Sequence, residues 1–214
     1  MTDERKSGIA LIAGSAGLML TMAMHPTAAA GSLTPEQVTR LMAFSGAAHA
    51  LAMVSALALF LGTCGLTRAI AAADRIAFTA MVVFGFACVA AMIATAVSGF
   101  IVPAIMKNMV DDAAANAQTW HIVTFSIFQI NQAFARIYSV AASLAMILWS
   151  VSALRNGGLG RGVAIYGCIV APLLMVGVGI GHLRLDVHGM AAVVVAQAIW
   201  FIAAGSQLRS RPAR

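Results

Sequence analysis

The chain has 214 residues, 61% of them hydrophobic and 9% charged, with a formal net charge of +6. Soluble domains carry about 25% charged residues, so a water-soluble globule is excluded, and the length suits one compact bundle better than two ordinary domains. The excess positive charge does not form a nucleic-acid patch, because the basic residues stand at the ends of apolar runs, where they orient helices in a bilayer.

Taken in chain order, the first apolar run covers about 8–27. It resembles a secretory leader, with a passable cleavage site at Thr27–Gly31, but five further apolar runs follow, which favours an uncleaved first helix. The second run covers about 41–67 and is preceded by "LTPEQV". Thr34 can cap a helix there, with Pro35 at the first position and Gln37 reaching back. A helix from Pro35 to Leu66 is about 47 Å long, beyond the roughly 30 Å of a hydrocarbon core. The third run, about 76–105, contains Pro103, which can kink it, as Pro26 and Pro172 can kink the first and fifth. The fourth, about 120–154, is the least lipid-like and also exceeds the core thickness. The fifth and sixth, about 162–182 and 187–208, are joined by the short polar stretch "GHLRLDVHG". The runs are long and rich in Ala, Leu, Met and Gly without strict alternation, which argues against strands. The expected fold is all-α: a polytopic integral membrane protein with six transmembrane helices in a single bundle spanning residues 1–214.

Basic residues give the orientation. One side collects nine: Arg5, Lys6, Arg68, Arg75, Arg155, Arg161, Arg209, Arg211 and Arg214. The other collects three: Arg40, Lys107 and Arg184. The positive-inside rule then puts both termini in the cytoplasm, in a bacterial inner membrane by expectation, with the opposite side facing the periplasm. Cys64, Cys88 and Cys168 fall within apolar runs, form no CxxC, and read as small core residues.

All five histidines lie toward the outer side. His49 is 19 residues before Arg68, and His188 is 21 before Arg209. Both are therefore about 30 Å above the inner face, and His25 and His182 reach the same level from the other strand of each hairpin. Several neutral imidazoles at one level can converge on zinc, copper or iron. His25, His49, His182 and His188 are the expected ligands, with His121 and Asp186 as an additional ligand or a group orienting one. The sequence contains no HExxH, paired CxxC or Glu-x-x-His to select the metal. A bis-histidine haem b, with His49 and His188 as axial pair, ranks below a non-haem metal. The competing account is that histidines gather near membrane interfaces because their polar tips are satisfied there.

The fourth run carries a polar stripe of His121, Gln129, Gln132 and Arg136 at helical spacing, with Asn131 pointing elsewhere. An arginine within a span normally faces protein or a water-filled cavity. Arg136 with Gln132 and Gln129 is therefore expected to face the bundle interior and hold an anionic group. The leading functional expectation is a membrane-embedded metalloprotein with an outward-facing histidine-rich site, an enzyme on a lipophilic or small anionic substrate being one form of it. The alternatives are a small-molecule or proton-coupled transporter or binding protein, and a haem electron carrier. The expected partners are the lipid bilayer and a small molecule, and no nucleic acid. Topology is testable directly: single cysteines at Ser32 and Asn116 should label from outside intact cells and one at Asn156 from inside, and outside labelling of Asn156 would reverse the orientation.

Overall fold

The computed structural model describes residues 3–25, 34–72, 74–112 and 117–211, so Pro26, Ser32 and Asn116 lie outside the described residues. The described residues form α1 (Asp3–Ala23), α2 (Pro35–Ala71), α3 (Arg75–Ala96), a π-helical segment (Val97–Ile101), α4 (Val102–Asp112), α5 (Ala117–Asn156), α6 (Arg161–Gly179) and α7 (Val187–Arg209). With α3, the π segment and α4 taken as one rod, six helices are long and apolar enough to cross a membrane. The two ends expected to overshoot do so: α2 has 37 residues and α5 has 40.

Local chemistry sets the helix starts. Thr34 caps α2 as its sequence anticipates. Its hydroxyl accepts from Gln37 N at 3.3 Å, and Thr34 N donates back to Gln37 Oε1 at 2.9 Å. Asp186 caps α7 by accepting from Gly189 N at 2.9 Å. Pro103 has no amide hydrogen, and its ring crowds the carbonyl four residues back. That carbonyl belongs to Gly99, inside the π segment, where Val102 N instead donates to Val97 O. The helix takes up the proline by widening one turn rather than by breaking.

Packing runs α1 between α2 and α7, α3 against α5, and α5 against α6. At the α1–α7 crossing a Cβ on Gly8 would come within 2.5 Å of Gly205 O, so no side chain fits there. The start of α1 and the end of α7 meet at one end, where the Arg211 guanidinium donates to Glu4 Oε1 at 3.3 Å and to the Gly158 carbonyl. The half of the bundle nearer that end is packed with aromatic rings. Phe84 stacks near Trp149 and Phe201 at 5.6 and 5.2 Å, and Trp200 lies 5.2 Å from Phe201. Trp149 and Trp200 are completely buried, while Phe86, Leu173 and Val54 are about two-thirds exposed. Large apolar side chains thus face outward around a packed interior, the arrangement expected of a protein surrounded by hydrocarbon.

Asp74, between α2 and α3, ties the start of α3 to the end of α5. Its carboxylate accepts from Ile76 N at 3.0 Å, from the Ser152 hydroxyl, and from Asn156 Nδ2 at 2.8 Å. The Ser152 hydrogen bond, followed by that of Ile76 N, holds the carboxyl below its ordinary pKa. A depressed folded-state pKa means a stabilisation fully present above the ordinary carboxylate range and lost as pH falls through the lowered value. Asp74→Asn should therefore lower the thermal midpoint at neutral pH by an amount that shrinks below about pH 3.9. A deficit constant down to strong acid would show that the Asp74 charge contributes nothing.

Candidate ligand-binding site

The half of the bundle away from the termini is hollow. A lower cavity of about 350 Å³ lies between α1, α2, α3, α5 and α7. Its wall is mostly apolar, with Leu59 and Phe84 among the lining residues that are fully packed on their far side. An upper cavity of about 440 Å³ lies between the far ends of α2, the π segment, α4 and α5. Leu41, Met42, Ile105, Met106 and Ile127 contribute to its wall. Five residues line both spaces: His25, His49, Ser98, Phe128 and Asn131. They form a polar waist between two apolar chambers.

Each waist residue is set by its helix. His49 is buried, and its Nδ1 stands 2.7 Å from Ser45 O one turn earlier. A carbonyl only accepts, so Nδ1 carries the hydrogen, and in the neutral form of the ring Nε2 is then an acceptor. His25, just past the end of α1, lies edge-on to His49 with ring centroids 5.3 Å apart. The π segment presses on the same ring: a Cβ on Gly99 would stand 2.4 Å from His49 Cβ and 2.7 Å from its Cγ. The widened turn thus both admits Pro103 and turns Ser98 into the waist. π-Bulges of this kind recur at functional sites.

Two polar atoms at the waist are buried without a hydrogen-bond partner among the described residues: His25 Nδ1 and Asn131 Oδ1. Leaving such a group unmet costs about 1–3 kcal/mol. Below the waist Tyr138 lines the lower cavity, with its hydroxyl engaged to Gln197 Oε1 at 2.9 Å. Gln197 Nε2 in turn donates to Ser143 Oγ at 3.1 Å.

Of the residues expected from sequence, His25, His49, Gln132 and Asp186 line the lower cavity. Gln132 Nε2 donates to Leu185 O at 3.1 Å, tying α5 to the loop before α7. Asp186 serves as the α7 cap, which accounts for its carboxylate without a histidine to orient. His182, His188 and His121 are exposed and line neither cavity. Equal depth did not bring the four histidines together, because depth says nothing of which way a helix faces. No group of three or more His, Cys, Asp or Glu side chains able to hold a metal occurs among the described residues. Arg136 and Gln129 are also exposed and outside both cavities, contrary to the inward face expected for them. Helix α5 instead buries Ala135, Ser139, Ala142, Met146 and Trp149, a small-residue and aromatic face that packs more closely than the polar stripe. That rotation turns Asn131 inward, where the sequence reading had it elsewhere. Asn131, Ser98 and Gly99 are the residues the sequence did not single out.

No family model, curated protein or solved structure matches this chain.

The fit of Gly99 against His49 is testable. Gly99→Ala should destabilise by about 1–3 kcal/mol through overpacking. Combined with His49→Gly, it should cost less than the sum of the two single changes. Strictly additive losses in thermal or denaturant unfolding would show that the two positions do not meet.

Proposed function

We propose that the protein is a multi-pass protein of a bacterial inner membrane that binds a small lipophilic molecule in an outward-facing cavity. The nine-to-three distribution of basic residues supports cytoplasmic termini, which leaves the hollow end toward the periplasm. One observation carries the reading. His25 Nδ1 and Asn131 Oδ1 are buried and unpaired among the described residues, at the waist shared by two apolar cavities. Ligand sites are typically apolar clefts of about 300–1,000 Å³ with a few converging polar groups, and this space has that character.

A path through the molecule is not part of the reading, since Phe84, Trp149, Trp200 and Phe201 fill the half nearer the termini. Binding, sequestration or chemistry at the outer face fits better than passage, and no reaction is assigned. A second reading, a transition metal such as zinc, copper or iron, draws support from the 5.3 Å approach of the His25 and His49 rings. A ligand would then have to complete a two-histidine site, because no described third side chain of the usual kinds joins it. Haem ranks lower still, since His188, the second axial histidine of that reading, is exposed outside both cavities.

The test is photolabelling in lipid nanodiscs with an aliphatic diazirine probe, followed by mapping of the modified residues. Labels should fall on lower-cavity residues such as Met22, Ala91 and Met190. Ala91→Phe, which fills the space, should abolish them without lowering the thermal midpoint. Labels confined to exposed residues such as Phe86 and Leu173 would defeat the lipophile reading. Stoichiometric zinc or copper that is lost in a His25→Ala, His49→Ala double variant would favour the metal instead.

A further inference from the structure

The waist has a hydrogen-bonding polarity of its own, and it narrows the class of molecule the cavity takes. With Nδ1–H committed to Ser45 O, the His49 ring in its neutral form offers a lone pair at Nε2. Asn131 Oδ1 is a second acceptor, buried and without a partner among the described residues. Among the described residues neither cavity is lined by a lysine or arginine, and the one carboxylate in either wall is that of Asp186. A carboxylate or phosphate brought to the waist would meet the like charge of Asp186, with no described lysine or arginine to neutralise it. A molecule bearing acceptors alone would leave Asn131 Oδ1 unmet.

Resting on the lipophile reading above, we infer that the ligand is an uncharged lipophile carrying a hydroxyl group. Its O–H donates to Asn131 Oδ1, and its apolar body lies in a chamber. The hydroxyl oxygen, itself an acceptor, can then take a hydrogen from Ser98 Oγ or from Asn131 Nδ2. A long-chain alcohol and a prenylated phenol share this chemistry, whereas a fatty acid and an alkyl phosphate do not.

The experiment is competition against the diazirine label on the intact protein in nanodiscs, with competitors matched by mole fraction in the bilayer. The competitors are dodecan-1-ol, 1-methoxydodecane, dodecanoate and dodecylamine. Dodecan-1-ol should compete about tenfold or more better than its methyl ether, the cost of leaving a buried acceptor unmet. Dodecanoate should compete no better than the ether. In Asn131→Leu the alcohol's advantage over the ether should fall severalfold while the ether's own potency holds. Equal competition by alcohol and ether would overturn the hydroxyl assignment while leaving the lipophile site standing. Preference for dodecanoate would mean an anion site, and preference for dodecylamine would mean that Asp186 recruits a cation; either outcome overturns the inference. Absence of any cavity label removes the lipophile reading, and the inference with it.

Discussion

Because α1, α6 and α7 stop after 21, 19 and 23 residues while α2 and α5 continue for 37 and 40, the far end of the bundle lacks half of its walls. At about 1.5 Å per residue, the short helices are roughly 28–35 Å long and the long ones about 55–60 Å. Near the termini, six helices close on each other with small residues and stacked aromatics between them. Beyond the ends of the short helices, the described residues leave α2, α4 and α5, and three rods cannot fill the axis they surround. The upper chamber follows from that mismatch, and so does the polar level at its floor. Helix ends leave backbone groups to satisfy, and His25 and Asp186 stand where α1 ends and α7 begins.

The waist is held from two sides by backbone geometry rather than by side-chain pairing. On α2, the His49 ring is fixed by the Ser45 carbonyl one turn away. On the opposing rod, the π segment brings Gly99 close enough that any larger residue would strike His49. A regular α-helix carrying Pro103 would have to kink or lose the Gly99 carbonyl's partner. The π turn avoids both and moves Ser98 toward the axis. The same five residues that accommodate a proline therefore also build one wall of the candidate site, which gives the irregularity a place in function as well as in folding.

What the sequence made legible was one-dimensional: run length, capping and depth. Helix number and overshoot came from counting apolar residues, and the Thr34–Gln37 capping box was readable because its partners are three residues apart. His25 and His49 were found by depth. Facing was not legible in the same way. Helix α5 carries two candidate interior faces, one polar through Gln129 and Arg136 and one of small and aromatic residues through Ala135, Ala142 and Trp149. In an apolar solvent polar residues need not turn inward if they lie near an interface. Close van der Waals packing then favours the smaller residues. Packing through the small-residue face turns Asn131 toward the cavities instead of Arg136. The contribution of Ser98 and Gly99 depends on a π turn, which no apolar periodicity announces.

Arg136 gains a different meaning from its exposed position. It lies 19 residues before Arg155, about 28 Å along α5, so in the proposed orientation its Cα sits at the outer edge of the hydrocarbon. A guanidinium at mid-bilayer costs about 2.5–3.5 kcal/mol even on the insertion scale. At the edge, its long stem can lie along the helix while the head reaches the lipid phosphates. On that account Arg136 fixes how far α5 sinks rather than what the cavity binds. Gln132, one turn earlier, ties the same level of α5 to Leu185. The bilayer surface would then pass close to the waist, with the lower chamber beneath it and the upper one above. A lipophile leaving the membrane for the cavity would keep its hydroxyl at nearly the depth it had among the headgroups. Its polar group would exchange lipid and water partners for protein acceptors without first crossing hydrocarbon.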